Sequence, residues 1–137
     1  MELLIKKLVV LFVALIVGSL QAHADFVFQR NKNLSVSLNR DEASVVHTAL
    51  DILGKDYSAV FGGRILPGAN ARVFIGTLGT NSIAEQNIST RLLNDLHLHN
   101  EGFVIEVKND RIYIIGSDKR GTAYGILELS RIIGVSP

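Results

Sequence analysis

Cysteine is absent from all 137 residues. That excludes disulfides, thiolate metal sites and lipoprotein anchoring, which needs a thiol to lipidate. Tryptophan is absent too, and neither sign of charge dominates, with 14 Lys and Arg against 13 Asp and Glu. A chain so close to neutral, with its basic residues scattered rather than striped, carries no footprint for nucleic acid or for an anionic membrane surface. Internal repeats and low-complexity tracts are lacking as well. What remains reads as one folded unit that must hold together by packing alone.

The first residues set an expected compartment. Lys6 and Lys7 precede an unbroken apolar run from Leu8 to Val17, and Ala22-His23-Ala24 follows it. A basic start, a short apolar core and a small-residue cleavage motif make a secretory signal peptide over residues 1–24, with cleavage before Asp25. The run is short for a membrane span, so no membrane attachment is expected after cleavage. Taking 24 residues from 137 leaves 113, enough for one domain and one core. Lys6, Lys7 and Glu2 leave together, so the mature chain balances 12 basic against 12 acidic residues. A secreted or periplasmic location follows as the expectation.

Phe26-Val27-Phe28 and the alternating Leu34, Val36 and Leu38 predict two short strands, paired as a hairpin. Asp41 and Glu42 suit a helix start, Val46, Ala49, Leu50 and Leu53 recur at helical spacing, and Gly54 offers a stop, which predicts a helix over residues 41–53. Gly62-Gly63, Pro67-Gly68 and Asn70 mark a turn-rich connection. Arg72-Val73-Phe74-Ile75-Gly76 reads as a strand buried on both faces. The glycine loop after it, Gly76 to Asn81, lacks the Gly-Lys-Ser/Thr ending of a phosphate-binding loop, so tight turning explains it. Ile88, Leu92, Leu93 and Leu96 suggest one short helix.

Phe103 to Val107 and Arg111 to Ile115 flank Lys108-Asn109-Asp110, and Asn-Asp tolerates positive φ, so an antiparallel hairpin is expected. Ile112 and Ile114 share one face, while Tyr113 and Ile115 make the other face apolar too. A final helix starting near Asp118 is the natural cover for that second face. Ala123, Ile126, Leu127, Ser130 and Ile133 form its inward stripe, and Gly134 stops it, with Val135 as a capping contact. Gly121 and Gly125, one turn apart inside this helix, each cost up to about 1 kcal/mol relative to alanine. Such a pair implies close approach of a backbone, from the sheet beneath or from a neighbouring domain.

Several residues invite sharper readings. His97 and His99, with Asp95 and Glu101, offer imidazole and carboxylate ligands of the kind zinc accepts, but no third ligand motif supports a site, so no metal is assigned. They read as solvated loop histidines, and His47 as a polar-face residue. Asn33-Leu34-Ser35 and Asn87-Ile88-Ser89 match the glycosylation sequon. Phe103 and Tyr124 have rings able to stack on a sugar, yet their positions suggest core roles.

The run Gly116-Ser117-Asp118-Lys119-Arg120-Gly121-Thr122-Ala123-Tyr124-Gly125-Ile126, with Leu129-Ser130 and Ile133 to Pro137, closely resembles the end of the N-terminal domain of glycoside hydrolase family 115. Weaker similarity extends to family 67 α-glucuronidases and to domain 2 of β-hexosaminidases. Ile75-Gly76-Thr77-Leu78-Gly79 and Glu101-Gly102-Phe103-Val104-Ile105 agree with the pattern in order and spacing, so the resemblance covers residues 41–137.

The resemblance implies an α+β fold, a small mixed sheet with helices packed on it, over residues 25–137. In such enzymes this domain precedes a catalytic (α/β)-barrel, and the whole removes glucuronic acid or its 4-O-methyl ether from the α-1,2-linked branches of xylan. The expectation is therefore an N-terminal accessory domain of a secreted glycosidase, truncated before its barrel and meeting glucuronoxylan through it. Inverting glycosidases need an acid and a base carboxyl roughly 6.5–9.5 Å apart. In the family the barrel supplies them, so no catalytic residue and no cofactor is assigned here. Asp118 and Arg120 have two readings: a clamp on a uronate carboxylate at a helix N-terminus, or a helix cap plus an interdomain salt bridge. Gly121, Tyr124 and Gly125 are the structural part of the same motif. The alternative function is a stand-alone module that binds a polysaccharide or a protein.

Overall fold

The computed structural model describes residues 26–68 and 70–134. The predicted signal peptide and the expected contact of Val135 lie outside the described residues. The elements, in order, are β1 (Leu34–Ser37), α1 (Ser44–Phe61), β2 (Ile65–Pro67), β3 (Val73–Thr77), α2 (Ser82–Gln86), α3 (Thr90–His97), β4 (Phe103–Lys108), β5 (Arg111–Gly116) and α4 (Lys119–Ile132). They build the expected α+β domain around a mixed five-stranded sheet in the order β2-β1-β3-β5-β4.

Four strands run parallel, and only β4 is antiparallel, to β5. Parallel neighbours need a crossover, and α1 supplies the one between β1 and β2. The predicted hairpin at the start is therefore not formed: β1 pairs parallel with β2 and β3. Phe26 and Phe28 are not in a strand. Instead Phe28 stacks on Phe61, with ring centroids 5.3 Å apart, and Phe26 meets Phe28 edge-on at 4.7 Å. The turn-rich connection contains a strand, β2, whose Leu34–Ile65 register places it at the sheet edge.

Helix α1 is longer than its sequence pattern suggests. Val46, Ala49, Leu53 and Tyr57 are buried at intervals of three and four residues, so the apolar stripe continues past Gly54. Packing of Tyr57 and Phe61 outweighs the penalty of about 1 kcal/mol for a glycine inside a helix. The stop is Gly62 instead, in the left-handed conformation at φ 77°, its N–H donating to Ser58 O at 2.9 Å. The predicted short helix through Leu92, Leu93 and Leu96 is α3, which starts only at Thr90, and a separate helix, α2, precedes it. Ile88 is buried in the break between them.

The expected β4–β5 hairpin forms, and its register sets Ile105 opposite Ile114 and Val107 opposite Ile112. Asn109 and Asp110 have φ values of 53° and 58°, both left-handed, as a two-residue type I′ turn requires. The sheet is covered on both sides. On one face, α1 and α4 bury Val36, Ile75, Ile112 and Ile114. On the other, α2 and α3 bury Phe74, Tyr113 and Ile115. Helix α4 thus covers the Ile112–Ile114 face, opposite to the expectation, because Ala123, Ile126 and Leu129 join the α1 core. Gly134 has φ 105°, which ends α4. Among the described residues no helix is long and apolar enough to cross a membrane.

Candidate functional site

The singled-out residues Asp118, Arg120, Gly121, Tyr124 and Gly125 all fall along one seam, where α4 lies against the start of β4. Asp118 is the N-cap of α4. Its Oδ1 accepts from Gly121 N at 2.9 Å and its Oδ2 accepts from Glu101 N at 2.8 Å. One carboxylate therefore satisfies a free helix amide and an amide of the loop before β4. These bonds hold its carboxyl below the usual range, the Gly121 bond contributing most and the Glu101 bond next. Ser117 adds a second tie, its Oγ accepting from Gly102 N at 2.9 Å.

The glycines explain the closeness of the seam. A Cβ on Gly121 would fall on Gly102 O, and one on Gly125 would stand 2.6 Å from Ile114 Cγ2 and 3.3 Å from Phe103 Cβ. Gly121 is thus approached by the backbone of the loop before β4, and Gly125 by side chains of this domain's own sheet. Arg120 points outward and pairs with Glu101, Nη1 to Oε1 at 2.8 Å, both side chains largely in solvent. The hydrogen bond to Glu101, and then its charge, hold the guanidinium more firmly protonated than usual. Asp118 thus engages the α4 N-terminus while Glu101 engages Arg120.

One turn further along, Tyr124 is 44% exposed and Phe103 37%. Their expected core roles are therefore not observed. Both line a depression of about 420 Å³ whose other walls include Ile52, Leu127 and Ser130. Ile126, their neighbour, is fully buried. Ser130 faces inward as expected, but its buried hydroxyl has no hydrogen-bond partner among the described residues. The seam thus presents an ion-paired cation, a phenol and a patch of apolar surface on one side of the domain.

A polar cluster escaped sequence reading. Glu42 does not cap α1. Its carboxylate accepts from Thr77 N and Thr77 Oγ1, each at 3.0 Å, and from Thr80 Oγ1. Thr77 Oγ1 also bonds Thr122 Oγ1 at 2.7 Å, which links the glycine loop to α4. Gly79 N donates to Glu85 at 3.2 Å, so two amides of that loop are engaged by the protein's own carboxylates. Those two amides are therefore not free to cradle a phosphate. No sequence signal could have paired residues 35 apart. His99 Nδ1 lies 2.8 Å from Asp95 O. Among the described residues no three His, Asp or Glu side chains gather as a metal site.

The fold and the seam point to a family. The model for glycosyl hydrolase family 20, domain 2, matches residues 18–136. This chain belongs to that family. Among solved structures, the domain is similar at 36% identity and a TM-score of 0.73 to BtGH115A, a family GH115 4-O-methyl-α-glucuronidase with specificity for decorated arabinogalactans. That match covers 82% of this chain and 15% of the glucuronidase. A GH138 enzyme targeting pectin rhamnogalacturonan II shares the fold at 20% identity and a TM-score of 0.52, over 74% of this chain and 13% of its own. No curated protein matches the chain. The domain 2 unit thus spans a small part of each enzyme it resembles.

Proposed function

We propose that this domain is the N-terminal accessory domain of a secreted glycoside hydrolase that removes glucuronic acid, or its 4-O-methyl ether, from the side branches of a xylan-type polysaccharide. The 36% identity to a 4-O-methyl-α-glucuronidase over 82% of the chain carries this reading. The signal peptide over residues 1–24 directs the enzyme to the periplasm or outside the cell. The domain contributes no catalytic carboxylate. Its work is mechanical, and the α4 seam is the join: Tyr124, Leu127 and Phe103 pack on the catalytic domain, and Arg120 reaches across to a carboxylate on it.

The test is to read the coding frame beyond Pro137 and to express the product. A frame running into a long barrel domain, whose product releases glucuronic acid from glucuronoxylan, is expected. A stop codon after Pro137, or a complete product that leaves uronate-bearing polysaccharide untouched, overturns the reading.

The exposed Tyr124 and Phe103 rings favour a second reading, a stand-alone module that binds polysaccharide on this face. Calorimetric titration of the chain with glucuronoxylan decides it. Binding that disappears in Tyr124→Ala supports the module, and absence of heat eliminates it.

A further inference from the structure

On the far flank of α1 from the α4 seam, a groove of about 930 Å³ runs between α1 and the β2 edge of the sheet. Its floor is aliphatic, made by Val36, Leu38 and Ile65, with Leu50 on the wall. Leu38, Leu50 and Ile65 are only partly buried, so the core on this flank ends in an open apolar trough. Arg40, Lys55 and Arg64 stand around it, against the single carboxylate of Asp51. The ion pairs among the described residues are Arg72–Asp110, Arg120–Glu101 and Arg131–Glu128. Within that set none of the three groove cations is paired.

A second observation comes from Gly54, which also lines the trough. The other helix-interior glycines, Gly121 and Gly125, are each pressed by the domain's own atoms, whereas a Cβ on Gly54 would meet nothing within 4 Å. Internal packing therefore gives no reason to accept a glycine in the middle of an 18-residue helix, at about 1 kcal/mol against alanine. Ser58, one turn on, also lines the groove and is small. A small-residue wall lets a second backbone come close.

The geometry points to an acidic amphipathic helix of a partner protein as the occupant of this groove. From His47 to Ser58 the wall extends about 16 Å, or three helical turns. An added β-strand is the poorer fit, since the β2 edge has three residues and ends at Pro67, which has no N–H to donate. A sugar chain also fits poorly, because no Phe or Tyr lines the groove to stack on a pyranose face. Leucines at helical spacing would fill the aliphatic floor, and flanking glutamates would meet Arg40, Lys55 and Arg64. The groove shares no lining residue with the depression at the α4 seam.

The probe is a synthetic three-turn helical peptide with leucines on one face and glutamates on both flanks, labelled for fluorescence anisotropy against the 137-residue chain. Its control carries lysines in place of the glutamates. The acidic peptide is expected to bind at least about tenfold tighter than the basic one, with the preference shrinking as salt is raised. Gly54→Leu fills the trough from a position with free space, so it should abolish binding while circular dichroism and the melting midpoint show an intact, more stable fold. Lys55→Glu combined with Arg64→Glu should reverse the charge preference. Equal binding of the two peptides, binding of neither, undiminished binding to Gly54→Leu, or occupation of the groove by a second copy of the chain would each overturn the proposal.

Discussion

The carboxylate of Asp118 bonds the amide of Glu101, 17 residues earlier, at 2.8 Å while capping its own helix through Gly121. One side chain thus joins the start of α4 to the entry of β4. Asp118→Ala should cost about 1–2 kcal/mol, the upper part of the range for a lost N-cap, because two amides lose their acceptor. Urea denaturation of the chain measures this. An unchanged midpoint would show that water replaces both bonds without loss.

The same residue sets an acid dependence. Its carboxyl is depressed in the folded state by the Gly121 and Glu101 amides. A depressed carboxyl stabilises the fold above its unfolded value, and that contribution is lost as pH falls through the folded value. Asp118→Asn keeps an acceptor without a titrating group. Its stability should change less than the parent's between neutral pH and pH about 3, the region where carboxyls titrate. Parallel slopes would remove Asp118 as the source.

Tyr57 gives the opposite sign at alkaline pH. Its hydroxyl donates to Lys32 O at 2.8 Å, and burial raises its pKa, with Arg72 opposing weakly. An acid with a raised folded value contributes stability that is complete below its unfolded value and lost as pH climbs towards the folded one. Tyr57→Phe should cost about 0.5–1.5 kcal/mol near neutrality and flatten the alkaline limb of the stability curve. Thermal melts across that range check both effects.

Gly125 reports on the α4–β4 contact. A side chain there would press on Ile114 and Phe103, both in the sheet, so Gly125→Val should destabilise by about 1–3 kcal/mol through overpacking. A gain in stability, as helix propensity alone would predict, would mean that the sheet yields without cost.

Ser130 tests the cost of an unsatisfied polar group in α4. Its buried hydroxyl is unpartnered, so Ser130→Ala should stabilise the isolated chain by up to about 1 kcal/mol. Loss of stability in the isolated chain would show that the hydroxyl is already satisfied.

Local signals were legible without coordinates. Asn109-Asp110 between two β-branched runs specified a hairpin, and Ser117-Asp118 ahead of the apolar stripe marked a cap, which the structure assigns to Asp118. Both rest on interactions only a few residues long. The α4 glycines signalled a close approach, but whether sheet or neighbour pressed on them was a question of space that spacing cannot answer. Gly54 misled for the reverse reason: a helix-breaking residue lost to the packing of Tyr57 and Phe61, which depends on Phe28 far away in the chain.

Contiguous motifs and local propensity were therefore enough for the family, the α+β class, the hairpin and the cap. Only the assembled domain shows which face α4 covers, that β1 pairs parallel with β2 and β3, that Glu42 serves the loop at Thr77, and that Tyr124 stands outward while Ile126 is enclosed. Each of these depends on long-range partners, and two apolar faces of one strand look alike until the helices that cover them are in place.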